Sequence, residues 1–264
     1  MDTRIIISGV NKTFPTSNGS VVALKDIDLE IKVGEFVCLL GPSGCGKSTL
    51  LNAVAGFSLP DQGQITVNGR AVTQPGPDRG MVFQEYALFP WMTVAQNVGF
   101  GLEIKGLPTA NIRNQVNALL KLLKLSEFGE RFPRDLSGGM RQRVAIARIL
   151  ALDSPILLMD EPFGALDALT RRSLQDELLR IWSELGKTVL FVTHSIEESI
   201  FLADRIVVMT YRPGTVKRDI VVTLPRPRDS ASPELNLLKR ELSELVSSEQ
   251  ARHEDAERRA LATD

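Results

Sequence analysis

The stretch Phe36-Val37-Cys38-Leu39-Leu40 followed by Gly41-Pro42-Ser43-Gly44-Cys45-Gly46-Lys47-Ser48-Thr49 decides the fold. An unbroken apolar run reads as a strand buried on both faces, which is the habit of a parallel sheet. The glycines permit a tight turn, and the following Leu50 to Ala55 reads as helix. Strand, glycine-rich turn with a lysine and a hydroxyl, then helix is the context of a phosphate-binding loop. In such a loop successive amides turn toward the anion, Lys47 reaches the terminal phosphates and Ser48 offers a hydroxyl to Mg²⁺.

Two other apolar runs end in the same manner: Ile156 to Met159 stops at Asp160-Glu161, and Val189 to Val192 stops at Thr193-His194. Ligands of parallel sheets gather beyond the carboxyl ends of the strands, so the three runs deliver their polar residues to that edge. Beside a phosphate loop, Asp160 reads as a magnesium ligand and Glu161 as the general base that polarises an attacking water. A guanine reader of the Asn-Lys-x-Asp type is missing, since Asn11-Lys12-Thr13-Phe14 lacks the aspartate.

Elsewhere the period changes. The first 35 residues and Gln64 to Gly69 alternate, as in Leu29 with Ile31 and Ile65 with Val67, which predicts half-exposed antiparallel strands. Ile112, Val116, Leu119, Leu120 and Leu123 recur at helical spacing, so residues 87–153 read as a helical insert between core strands. Near the end, Ser232 and Pro233 are a cap and a first helical residue, followed by Leu235, Leu238, Leu242 and Leu245 on one face. Past Ser247 the chain is nearly all polar and is expected to fray.

Composition narrows the classes. With 264 residues, 43% hydrophobic and 24% charged, the chain suits one large globular domain with an insert. Its 31 basic and 32 acidic residues nearly cancel, which leaves no global field for a nucleic acid. Cys38, Cys45, His194 and His253 are the complete cysteine and histidine set, too few for a zinc cluster and in keeping with a reducing compartment. The run Ile5 to Ile7 is shorter than a signal core of about 7 to 15 residues, so export is not expected. The longest uncharged stretch, Tyr86 to Leu102, is broken by Pro90, Gln96, Asn97, Gly99 and Gly101, whereas a spanning helix needs about 20 apolar residues.

Leu136-Ser137-Gly138-Gly139-Met140, followed by Arg141-Gln142-Arg143 and an apolar run, would open a helix whose first amides favour an anion. This resembles the signature motif of ABC-type ATPases, and the resemblance covers about Ile5 to Pro227, with Met140 in place of the commoner glutamine. It implies an α/β fold: a RecA-like P-loop core with a parallel sheet, an N-terminal antiparallel β subdomain and an inserted α-helical subdomain. The implied parts are 1–86 (β subdomain and first part of the core), 87–153 (helical subdomain), 154–224 (second part of the core) and 225–264 (C-terminal helical extension). It implies ATP and Mg²⁺ as ligands, with each ATP held between the phosphate loop of one subunit and Ser137, Gly138 and Gly139 of another, so that the working unit is a dimer of identical or paralogous ATPases. Gln84 is the implied link from magnesium and water to the insert, Asp167 belongs to the loop that joins the two sites, and His194 is the switch residue at the γ-phosphate. Phe14 matches the aromatic that stacks on adenine; a core phenylalanine is the competing reading. Cys45, near a helix start, is expected to have thiolate character and to be open to alkylation from which ATP protects it.

Tyr86 to Met92 is unusually apolar and aromatic for a segment following Gln84 and suits a partner surface. In bacterial ABC importers the corresponding segment receives the membrane permease. Pro77-Asp78-Arg79-Gly80, Leu88 to Val94, Asp160 to Asp167, Arg212-Pro213-Gly214 and Leu224 to Arg228 resemble the nitrate/sulfonate/taurine group of importer ATPases. The resemblance implies a peripheral subunit on the cytoplasmic face of the inner membrane, served by permease subunits and a periplasmic or lipid-anchored solute-binding protein. A soluble ABC ATPase of DNA repair would call for a long coiled-coil insert, zinc cysteines and a basic face, and a non-hydrolysing regulatory subunit would not need Glu161, Gln84 and His194.

Overall fold

The computed structural model describes residues 5–17, 19–229 and 231–261; residues 1–4, 18, 230 and 262–264 of the expected parts lie outside the described residues. Up to Gly76 the elements are β1 (Ile5–Thr16), β2 (Gly19–Ile31), β3 (Phe36–Leu40), α1 (Lys47–Ala55), β4 (Gln62–Val67) and β5 (Arg70–Ala71). Residues 77–187 form β6 (Arg79–Val82), α2 (Val94–Ile104), α3 (Thr109–Leu122), α4 (Gly138–Ala151), β7 (Ile156–Asp160) and α5 (Ala168–Leu185). Then follow β8 (Thr188–Thr193), α6 (Ile196–Leu202), β9 (Arg205–Met209), β10 (Val216–Val221) and α7 (Pro233–Leu261). Two compact units result: residues up to Gly76 together with those from Thr188 onward, and Pro77–Lys187. This partition by packing cuts the chain at other places than the motif boundaries 86/87 and 153/154.

In the first unit β10, β9, β3 and β8 are neighbours in that order. β3 runs parallel to β8, from Phe36 beside Val189 to Leu40 beside Thr193, and parallel to β9, ending with Leu40 beside Val208. Every residue of β3 and β8 is buried, which is why their sequences carry no alternation. The order β2, β1, β4, β5 makes a separate antiparallel sheet. There the buried positions alternate, as in Ile27, Leu29 and Ile31, and a one-residue slip would turn this set to solvent.

In the second unit β6 pairs with β7 in parallel, from Arg79 beside Ile156 to Val82 beside Met159. α2 opens with a capping box between Thr93 and Gln96. α3 buries Val116 and Leu120, with Leu123 just past its end, as the helical spacing predicts. The side chains of Ser137 and Asp167 cap α4 and α5.

The group feature Leu224 to Arg228 has a structural reason in the first unit. Arg226 bonds Asp204 and the Leu202 carbonyl, while Arg228 donates to the carbonyls of Ile200 and Phe201, so two cations close the end of α6. Burial, with Arg226 nearby, pulls the Arg228 pKa down to about 10. The expectation of fraying past Ser247 is corrected, because α7 continues to Leu261. Leu242 and Val246 anchor its apolar face, and Glu249 and His253 extend the attachment through Tyr211 where the sequence is nearly all polar.

Phe191 on β8 is fully buried with its ring 5.8 Å from that of Phe36. Phe191→Ala is expected to cost about 3–5 kcal/mol, read as a lower urea midpoint at unchanged slope. A loss below about 1 kcal/mol would contradict this packing.

Candidate functional site: a phosphate loop and its companion motifs

The first unit holds the phosphate loop and His194. Because Leu40 lies beside Thr193 in the sheet, Gly41 and His194 emerge from neighbouring strand ends. The loop turns through left-handed residues at Gly44 (φ 74°) and Gly46 (φ 97°), and a Cβ at Gly46 would stand 2.8 Å from the Ala23 carbonyl oxygen. Glycine is therefore required there on both counts. Lys47 is 4% exposed, and its Nζ donates to the carbonyls of Gly41 and Pro42, each at 2.8 Å. The ammonium thus arches over the loop while the first amides of α1 follow it. No acidic residue occupies the first turn of that helix, so its N-terminal dipole and amides are available to an anion. Ser43, Gly44 and Ser48 are exposed, whereas Gly41, Pro42 and Cys45 are buried and Gly46 and Thr49 half-buried. A cradle of amides, one ammonium and an accessible hydroxyl fits a polyphosphate with its magnesium.

The thiolate expectation for Cys45 is corrected. Its side chain is fully buried, and desolvation pushes the thiol pKa up despite the neighbouring Lys47.

His194 is exposed at the end of β8, on a turn fixed by the Thr193 hydroxyl, which donates to Glu198 at 2.6 Å and accepts from the Ser195 amide at 3.0 Å. Phe14 is 39% exposed on β1 and is not a core residue. The Lys12 ammonium lies 5.5 Å from its ring centre and is itself bonded to Asp61 and the Leu59 carbonyl. The hydrogen bond from Lys12, helped by the Thr13 amide, holds the Asp61 carboxyl below its ordinary range.

The second unit holds the remaining motifs. Val82 lies beside Met159, so Gln84 and the pair Asp160-Glu161 follow neighbouring strand ends. Gln84 is exposed, Asp160 and Glu161 are half-buried, and Glu161 takes a left-handed φ of 41°. A glutamate held there stores strain on the order of 1 kcal/mol, a frequent mark of functional positions. The chain then turns through Gly164 to Asp167, whose carboxylate accepts from the amides of Leu169 and Thr170. Those bonds, that from Thr170 foremost, hold the exposed Asp167 carboxyl below its ordinary range.

Ser137 accepts from the Met140 amide at 3.3 Å and starts α4. A Cβ at Gly139 would stand 2.5 Å from Thr170 Cγ2, so the small residue lets the tip of α4 lie against α5. The ion pair Arg143–Glu177, at 2.9 Å, joins the same two helices.

Three residues that organise this unit escaped the sequence reading. Arg148 donates to the carbonyls of Ala87 (2.6 Å) and Tyr86 (3.2 Å), two residues with left-handed φ, and burial pulls its pKa down. Arg141 lies over the Tyr86 ring. The buried Asn97 bonds both backbone groups of Phe89 and the carbonyls of Met92 and Thr93. Asn97 had a faint signal, an uncharged polar residue amid an apolar helix; the arginines had none. The outcome is a firm turn that presents Trp91 at 70% exposure beside Phe89, next to a cleft of about 520 Å³ lined by Gln84, Tyr86, Leu88 and Arg141.

Each unit therefore brings its own motifs together: the phosphate loop with His194 in the first, Gln84 with Asp160 and Glu161 in the second. The magnesium set of the resemblance draws Ser48 from one unit and Gln84 and Asp160 from the other.

Residues 24–164, more than half of the chain, match the family model described as "ABC transporter". The chain is 49% identical over 235 residues to the nitrate import ATP-binding protein NrtD of Synechocystis, covering 89% of this chain and 88% of that one. It is 49% identical over 218 residues to the taurine import ATP-binding protein TauB of Roseobacter denitrificans, covering 82% and 81%. Among solved structures, a dimeric ATP-binding cassette in a post-hydrolysis state with ADP and Pi superposes with a TM-score of 0.74 at 35% identity, covering 83% of this chain and 98% of that one. The strand-end motifs and these relatives lead to one statement: the chain belongs to the ABC transporter family.

Proposed function

We propose that the chain is the ATP-hydrolysing subunit of an importer for a small anionic solute. The observation that carries this reading is the placement of His194, Gln84, Asp160 and Glu161 at or just past the carboxyl ends of parallel strands, with Lys47 opening the helix that follows the loop after β3, in a family whose relatives here are named for nitrate and taurine import. The proposed phosphate ligands are the amides of Gly41 to Thr49 and the ammonium of Lys47. Phe14 offers an exposed ring to adenine. Magnesium, when bound, supplies charge neutralisation at the transferring phosphoryl group, and Ser48, Gln84 and Asp160 are the residues that would hold it. Glu161 accepts the proton of the water that attacks the terminal phosphorus, the bond to the bridging oxygen breaks, and ADP and inorganic phosphate result. His194 donates to the terminal phosphate and so stabilises charge that grows as the bond breaks.

The signature residues Ser137, Gly138 and Gly139 act on the nucleotide of a second ATPase subunit, identical or paralogous; the dimeric form of the solved cassette supports this. Asp167 lies in the loop between the two sites. Among the described residues no helix is long and apolar enough to cross a membrane, which suits a subunit that works through separate permease partners at the cytoplasmic face. The Tyr86 to Met92 turn with exposed Trp91 is the proposed permease contact, and solute is delivered by a periplasmic or lipid-anchored binding protein.

Glu161→Gln is expected to lower turnover by about 10²- to 10⁴-fold while ATP binding, followed by calorimetry, persists; unchanged turnover removes the base role. Ser137→Arg is expected to abolish hydrolysis by the assembled complex, and full activity would dismiss the shared pocket. Trp91→Asp is expected to leave ATP hydrolysis by the isolated chain within about twofold while solute uptake in reconstituted vesicles is lost, because an interface aromatic is a common hot spot. Retained uptake would move the permease contact elsewhere.

A further inference from the structure

The loop between β9 and β10 touches the phosphate loop at one end and α7 at the other. It is a closed turn: the Thr210 amide donates to the Thr215 carbonyl, and the Thr210 hydroxyl bonds the Pro213 carbonyl. Gly214 donates to the Ala23 carbonyl at 3.0 Å and accepts from the Lys25 amide at 2.9 Å. A Cβ at Gly214 would stand 2.2 Å from the carbonyl oxygen of Cys45, so this backbone lies directly against the phosphate loop. Arg212 reaches further and donates from Nε to the Gly44 carbonyl at 3.2 Å. The underside of the loop that carries Lys47 is thus propped by residues 212–214.

Tyr211, the residue next to Arg212, is held by α7. Its amide donates to Glu249 Oε2 at 2.8 Å, and its ring stacks on His253 with centres 4.4 Å apart. Glu249 is 2% exposed; Arg252 also donates to Oε2 at 3.0 Å, and the other oxygen takes the Lys217 ammonium at 2.7 Å. Lys217 also bonds the Leu245 carbonyl and the Ser248 hydroxyl. Leu242 and Val246 bury the apolar face of α7. A buried carboxylate is costly unless well paired, and here it is placed where α7 meets the backbone leading into Arg212.

We propose that α7 sets the conformation of the phosphate loop through a continuous relay, Glu249 to Tyr211 to Arg212 to Gly44. In it Arg212 is a positioning residue, and docking of the C-terminal half of α7 rises and falls with nucleotide affinity. The proposal rests on the reading that residues 41–49 hold the nucleotide phosphates. Coupling between two sites is reciprocal, so whatever α7 does to nucleotide affinity, bound nucleotide must do to the docking of α7.

The full-length chain supplies the test, with MgADP as the probe. Calorimetry is expected to show Arg212→Ala and Glu249→Ala each weakening MgADP about 3- to 10-fold, the range of one hydrogen bond, with Arg212→Lys restoring part of the loss. The double variant is expected to be no weaker than the worse single one within about twofold, as members of one relay are not additive. Saturating MgADP is expected to slow amide hydrogen exchange at residues 245–254 in the parent chain and not in Arg212→Ala. Glu249→Gln, which keeps an acceptor for the Tyr211 amide, stands in should Glu249→Ala fail to fold, with a smaller loss in the same direction. The relay is refuted if Glu249→Ala loosens residues 245–254 at unchanged MgADP affinity, or if the two losses multiply. Lys47→Ala separates the two levels. If it abolishes MgADP binding while Arg212 and Glu249 variants bind normally, the relay alone fails; if Lys47→Ala binds normally, the nucleotide reading itself fails.

Discussion

A lysine ammonium buried under two carbonyl oxygens is the constraint from which the rest of the first unit follows. Lys47 can occupy that position because the chain leaves β3 abruptly and re-enters a helix within a few residues, with glycine wherever the backbone must turn left-handed. That abruptness depends on β3 being clamped between β8 and β9, both parallel to it and both apolar. A solvated strand would fray at its end and blur the geometry; a strand buried on both faces stops where its apolar residues stop. The same argument applies in the second unit, where β7 delivers Asp160 and Glu161 at the point at which its apolar run is exhausted.

The parts of this architecture visible in the primary structure are those governed by local rules. Unbroken apolarity marked β3, β7 and β8, alternation marked β1, β2 and β4, and helical spacing marked α3. Ser137 and Ser232 were recognisable as caps because a hydroxyl before a helical run has few other uses. The strand-turn-helix course of residues 36–55 was legible because a phosphate loop requires glycine, lysine and hydroxyl at fixed intervals.

What stayed hidden depends on partners distant in sequence. Arg148 sits on a helix like any solvated arginine until the fold brings it 2.6 Å from the Ala87 carbonyl. Glu249 and His253 belong to a polar tail on paper, yet they secure α7 to Tyr211. Cys45 shows the opposite error: proximity to a helix start favours a thiolate, but burial outweighs it, and the neighbouring Lys47 as well, and raises the pKa. In each case tertiary desolvation or a long-range hydrogen bond overrode what the neighbours along the chain suggested.

The pinning of Tyr86 and Ala87 has a mechanical consequence. A segment that links Gln84 to an exposed tryptophan could be a slack tether, which transmits tension but not thrust. Here the carbonyls are riveted by the Arg148 guanidinium and the following bend is stitched by Asn97, so the backbone has little slack to take up. A bend braced in this way resists compression as well as tension.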